Sequence, residues 1–252
     1  MEFSEFKKEF YQLYNKYQVN WEVYGFLSRD DKVYLIGSDT KVLSTVFELL
    51  CAPLIREIAS KHGYQLEESP QTIYPDFTLL KNKEDKHKIA IDIKTTYRRG
   101  VDKSFVYTLG SYTSFLRNNT KNILYPYDQY KHHWVIGFLY SRQDKNNQPF
   151  VVPYSERHKI TSSYGQVEFF IQEKYKIVGE RPASGNTTNL GSFSAKSIKE
   201  LAEGKGPFAK LGESVCDEYW RNFEKNAKKR KYDSVEKFTT WLKKKHLTNK
   251  KY

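Results

Sequence analysis

Residues 74–96, YPDFTLLKNKEDKHKIAIDIKTT, decide how this chain is read. Two apolar runs, YPDFTLL and KIAIDIKTT, flank the polar segment NKEDKH, the composition of a β-hairpin. Side chains alternate between the faces of a strand. Ile89, Ile91 and Ile93 therefore pack one way, while Ala90, Asp92, Lys94 and Thr96 point the other. A charged pair two residues apart in so apolar a strand is costly unless it has a use. With the turn centred near Glu84 and Asp85, Asp76 lies opposite, or one step from, residues 92–94. Two carboxylates and a lysine then converge at one end of the hairpin. Carboxylates that close repel unless a cation sits between them, and hard oxygen ligands favour Mg²⁺. The lysine suits positioning or deprotonating a water, or stabilising charge on a phosphate. The plain alternative is a solvated hairpin whose charges fall together by chance.

Upstream, Ser38 and Asp39 offer N-caps for a helix over residues 40–63, TKVLSTVFELLCAPLIREIASKHG, with Pro53 expected to kink it and Gly63 to stop it. Lys41, Ser44 and Glu48 fall on one polar stripe. Val42, Val46 and Leu49 form the neighbouring apolar one. Glu48 is thus a third acid within reach of the hairpin, or simply a surface glutamate. Phe3, Phe6, Phe10, Leu13 and Tyr17 mark an opening amphipathic helix. WEVYGFL and KVYLI, joined by SRDD, read as a strand pair.

Downstream, HWVIGFLY, QVEFFIQ and YKIVGE read as strands, and residues 141–165 between the first two as a polar, irregular surface loop. RPASGNTTNLGS has no core pattern. Residues 213–230 and 234–246 read as helices, the second with a capping box from Asp233 to Glu236. His132 and His133 beside Asp128 are discounted as a metal site, because adjacent strand residues point apart. The whole predicts an α/β protein with a mixed β-sheet flanked by helices.

The 252 residues suffice for one sizeable domain, with 38% hydrophobic and 16% aromatic residues to fill its core. We expect a catalytic and DNA-binding part over about residues 20–195 and a basic helical lobe over 196–252. The net charge of +12 favours a polyanionic partner, whose condensed counterions are released on contact. Two cysteines make no disulfide framework, and no CxxC pair suggests zinc. No apolar run approaches the ~18 residues that span a bilayer, and the N-terminus is unlike a signal peptide, so a cytoplasmic protein is expected.

The segments GSDTKVLSTVFEL, YPDFTL, KIAIDIKTTY, YTSFLRNNTKNILYPYDQY, SGNTTNLGS, EGKG and DEYWRN resemble, in this order, the EcoRV-like type II restriction endonucleases of the PD-(D/E)xK superfamily. The resemblance implies a restriction-endonuclease-like fold and a homodimer. It also implies Mg²⁺-dependent cleavage of double-stranded DNA at a palindrome, GATATC with blunt ends, and a cognate methyltransferase for the same site. Asp76, Asp92 and Lys94 match the catalytic positions, Glu48 a helix glutamate that also serves the metal, and the Ile93 carbonyl a minor metal ligand. Ser184, Gly185, Asn186, Thr187, Thr188 and Asn189 match the loop that reads the major groove, where amides pair with adenine. Gln71 and Thr72 match the minor-groove loop. Thr40, Lys41, Ser44, Thr96, Thr108, Ser114, Asn119 and Lys121 match positions near the DNA backbone.

Two departures stand out. Ala183 replaces a glycine of close approach, so looser reading of the outer base pair is expected. The minor-groove loop is one residue shorter, with Thr72-Ile73 in place of Asn-His. A structure-specific nuclease of the same fold would lack a base-reading loop such as SGNTTN. A non-catalytic DNA-binding module would be expected to have lost Asp76, Asp92 or Lys94.

Overall fold

The computed structural model describes residues 1–100, 102–143, 150–183 and 188–249, with side chains to residue 244. The chain opens with α1 (Phe3–Tyr17), the short strands β1 (Gly25–Leu27) and β2 (Lys32–Leu35), and the long α2 (Thr40–Lys61). Next come β3 (Gln65–Glu68), β4 (Phe77–Leu80), β5 (Lys88–Tyr97), β6 (Thr108–Ser111) and β7 (Tyr130–Arg142). The strands end with β8 (Val151–Pro153), β9 (Tyr164–Glu173), β10 (Val178–Pro182) and β11 (Asn189–Ser192). The last helices are α3 (Ile198–Ala202), α4 (Glu213–Asn222) and α5 (Val235–Asn249).

The central sheet has the order β3-β4-β5-β7-β9. β5 and β7 are parallel, and the other neighbours antiparallel, so the sheet is mixed as expected. Its faces are unlike. Ile89, Ile91 and Ile93 join Phe6, Phe47 and Leu54 in a core under α1 and α2, with Phe47 stacked on Phe138 at 4.3 Å. Ala90, Val135 and Phe170 face the other way, into a core shared with Tyr219, Trp220 and Phe238 of the C-terminal helices.

α2 starts where Asp39 accepts from the Lys41 and Val42 N–H groups, satisfying two donors of the first turn. It ends in a Schellman motif: Gly63 at φ +69°, with Gly63 N–H bonded to Ser60 and Tyr64 N–H to Ala59. Pro53 lies inside a continuous helix. The buried stripe is Leu43, Val46, Phe47, Cys51 and Leu54, whereas Val42 and Leu49 are exposed. Of the expected stripe Val46 is buried, but Val42 and Leu49 are not, and Leu43, Phe47 and Leu54 join the isoleucines of β5 in the core instead.

Five further readings are corrected. The supposed irregular loop supplies β8, which completes a β1-β2-β8 sheet through Val33↔Val152. The supposed strand at 175–180 begins as a 3₁₀ turn over Lys174–Lys176. RPASGNTTNLGS does carry structure: β10 and β11 pair with each other, and β11 with β6. α4 stops at Asn222, and α5 is capped by Ser234, whose Oγ accepts from Lys237 N–H, rather than by Asp233.

Candidate active site

β4 pairs with β5 through Phe77↔Ile91, Thr78↔Ala90 and Leu79↔Ile89. Continued by one residue, that register sets Asp76 against Asp92. Beyond Ile91 this edge of β5 has no strand beside it among the described residues, and the Ile93 N–H there donates to Asp76 Oδ2 at 2.6 Å. Lys94 Nζ lies 2.7 Å from Asp92 Oδ1, 3.8 Å from Asp76 Oδ2 and 3.0 Å from the Ile93 carbonyl. The three residues and one carbonyl singled out in the sequence thus meet around one ammonium.

Their electrostatics follow from burial. Burial raises the Asp76 carboxyl to about 7; Lys94 opposes the rise, while Asp92 and Glu48 add to it. Burial works against the Lys94 ammonium, yet Asp92 and Asp76 outweigh it and hold the group above its ordinary value. Burial also raises Glu48, which is tied to Ser44 Oγ at 3.3 Å and feels the charges of Lys94 and Asp92. Asp92 is 2% exposed, and its Oδ2 has no hydrogen-bond partner among the described residues.

A cleft of about 440 Å³ opens beside these groups. Lys41, Ser44 and Glu48 of α2 line one side, and Gln71, Thr72 and Asp76 the other. The stripe on α2 and the segment before β4, distant in sequence, therefore line one cleft together with the Asp76 carboxylate.

The model of the family described as restriction endonuclease EcoRV matches residues 17–243. The chain is 46% identical over 234 residues to the type II restriction enzyme EcoRV of Escherichia coli, covering 91% of this chain and 94% of that enzyme. The chain belongs to the EcoRV restriction endonuclease family. It is a type II restriction endonuclease, a hydrolase of double-stranded DNA. EcoRV-family nucleases use a divalent metal ion, and the donor set here fits one. The Asp92 oxygen left without a partner among the described residues is an uncompensated acceptor of the kind a cation would complete. Glu48, Asp76 and Asp92 do not bring one oxygen each to within 4.8 Å; among the described residues only Glu5, Glu9 and His62 form so tight a group.

The other expected contacts are spread over the EcoRV-like scaffold. Thr40 sits at the start of α2, its Oγ1 3.2 Å from Tyr140 Oη. Thr96 and Thr108 line a second cleft, of about 810 Å³, with Ala183. Ser114 is buried, donating to the Lys121 carbonyl at 2.6 Å, and Asn119 Oδ1 accepts from Asp128 N–H at 3.0 Å. These two hold the 114–128 segment together, and Lys121 itself is exposed. Thr188 and Asn189 stand at the start of β11, with the Thr188 carbonyl accepting from Tyr112 N–H. Ser184, Gly185, Asn186 and Thr187 lie outside the described residues.

Sequence reading missed what underlies the hairpin. His133 is buried, with Nδ1 2.7 Å from Tyr74 Oη, and stacks on Tyr127. The Lys174 ammonium lies 4.3 Å from the centre of the Tyr74 ring, without a hydrogen-bond partner among the described residues. Burial lowers Lys174 to about 8 despite Asp92 nearby. The only sequence signal was a lysine at the end of an apolar strand.

Proposed function

We propose that the chain cuts both strands of DNA at GATATC, at the central TA step, leaving blunt ends, with Mg²⁺ as its metal. The observation that carries this reading is the meeting of Asp76, Asp92 and Lys94 at the open end of the hairpin. Asp76, Asp92, Glu48 and the Ile93 carbonyl would hold the ion. When bound, Mg²⁺ supplies Lewis acidity to a phosphoryl oxygen and a more acidic water. Lys94 places a fixed positive charge where negative charge grows on phosphorus oxygens, at little cost in reorganisation. The TA step suits this target, because pyrimidine–purine steps kink cheaply.

Ser184, Gly185, Asn186, Thr187, Thr188 and Asn189 read the major groove in this proposal, with Gln71 and Thr72 beside the minor groove. Lys41, Ser44, Thr40, Thr96, Thr108, Asn119 and Lys121 face the backbone, and Ser114 supports that segment. Two copies work together. The β1-β2-β8 sheet supports a self-association face there: Phe26, Leu27 and Tyr34 are about half exposed and Phe150 is 87% exposed. Apolar patches of this kind mark interaction surfaces. The catalytic part spans about residues 20–195 and the basic lobe 196–252. The protein acts in the cytoplasm beside a methyltransferase that protects the same site. Among the described residues no helix is long and apolar enough to cross a membrane.

A digest of mapped plasmid DNA with Mg²⁺, followed by sequencing of the ends, tests the target. Blunt GAT/ATC ends are expected; staggered ends or an unrelated hexamer would refute the assignment. Sedimentation tests the dimer: Phe26→Asp should shift the protein toward monomer, and an unshifted variant would clear that face.

A further inference from the structure

The 810 Å³ cleft is bounded by the far end of β5 on one side and by β10, β11 and β6 on the other. Thr96 enters it from the same face of β5 as Asp92 and Lys94, so the catalytic strand leads directly into this space. On the opposite wall stands Arg181, two residues before Ala183, at the foot of the segment expected to read bases. Arg99, seven residues beyond Asp92 and roughly 20 Å along an extended chain, lines the cleft as well.

These two arginines differ from the others nearby. Arg98 is paired with Glu168, Arg117 donates to the carbonyls of Arg221 and Phe223, and Arg142 donates to Thr40. Among the described residues no hydrogen bond or ion pair of the Arg99 or Arg181 guanidinium is found. Arg99 only approaches the Tyr97 ring, at 5.9 Å, and both arginines are exposed. A carboxylate of the cleft lining, Glu180, accepts from Val235 N–H at the start of α5. Two uncompensated guanidinium groups on facing walls of an open cleft match an anion that runs through it. Planar guanidinium forks suit phosphate oxygens better than a point charge does.

We propose that Arg99 and Arg181 form a phosphate clamp, gripping the DNA backbone in this cleft on the far side of the scissile position. The inference rests on the endonuclease reading and adds two contacts to it. Phosphate contacts position a duplex without reading its sequence. The clamp therefore strengthens binding to any duplex and leaves discrimination between sites to the loop that follows Ala183.

The test is the salt dependence of binding, measured by fluorescence anisotropy without divalent metal. The probes are a ~30-base-pair duplex carrying GATATC and a scrambled duplex of equal length. Each neutralised phosphate contributes about 0.9 to the slope of log K against log salt. The double variant Arg99→Gln/Arg181→Gln should lose about 1.8 from that slope. Its affinity at ~0.1 M salt should fall roughly tenfold or more on both duplexes alike. Arg99→Lys/Arg181→Lys should keep most of the slope. Lys8→Gln, which removes an exposed charge from α1, should leave the slope within error, as should any effect of net charge alone. Unchanged thermal unfolding secures the comparison. A slope in the Gln double variant equal to that of the parent protein would overturn the clamp. Absence of salt-dependent DNA binding by the parent itself would instead overturn the endonuclease reading.

Discussion

Lys94 Nζ and Asp92 Oδ1 lie 2.7 Å apart, and the same ammonium reaches the Ile93 carbonyl at 3.0 Å. The lysine thus uses oxygens that a divalent ion would also seek. Its charge keeps two neighbouring carboxylates compatible in a largely buried site, which explains how the hairpin folds without strong repulsion. The pair has consequences for both chemistry and metal binding.

Lys94→Met should reduce single-turnover cleavage by ~10²-fold or more while changing DNA affinity little, as expected of a group acting mainly in the transition state. The same variant should bind a divalent ion more tightly without DNA, because the ammonium no longer shares the oxygens. Isothermal titration with Mn²⁺ measures that. Cleavage within about tenfold of the parent would remove Lys94 from the chemistry.

Acidity should govern metal uptake in a defined window. Burial raises Asp76 to about 7, above its ordinary value of 3.8. Between those values the folded protein holds a proton that the unfolded chain has released, so the contribution of this group to stability falls as pH rises. Metal binding must expel that proton. Affinity should therefore climb from pH 5.5 to about 7 and level off above it. Titrations at pH 5.5, 6.5, 7.5 and 8.5 in the parent and Asp76→Asn proteins give the answer; a flat profile in the parent would contradict the assignment.

Thr72 has φ +72°, a left-handed backbone that β-branched residues rarely adopt. Asparagine tolerates this region through local hydrogen bonding. Thr72→Asn should stabilise the protein by about 0.5–1 kcal/mol, a rise of roughly 1–4 °C in melting temperature for a chain of this size. Calorimetry on the two proteins decides it, and a lower melting temperature would mean that Thr72 holds the loop through its methyl group.

The catalytic hairpin was legible in the sequence because period-two alternation and a polar turn fix both face and register. Asp76, Asp92 and Lys94 could be placed from those alone, whereas Glu48 on α2 stayed open between a third acid and a surface glutamate until the family resemblance was considered. The β6, β8 and β11 strands were not legible. They are short, rich in Pro, Gly and polar residues, and owe their form to partners far along the chain, as β8 does to β2. Lys174 was invisible for a related reason: only the packing of Tyr74 and Phe115 over the sheet shows that its ammonium is buried.

Ala183 is where structure changes an expectation about specificity. Read as a sequence, its methyl threatens a close approach to the outer G·C pair. In the fold Ala183 is 4% exposed, and its N–H donates to the Asn189 carbonyl at 2.9 Å across the base of the β10–β11 pair. Gly191 makes room for it, since a Cβ there would come within 3.1 Å of Ala183 N. The methyl is thus largely buried at the edge of the cleft, and the residue is held by its backbone. Ala183→Gly should therefore leave discrimination at the outer base pair within about threefold of the parent, well under the ~1 kcal/mol that one lost base contact costs at minimum. Single-turnover rates on GATATC and on duplexes altered only at the outer pair measure the ratio. A tenfold sharpening in the glycine variant would show that the methyl reaches the DNA after all.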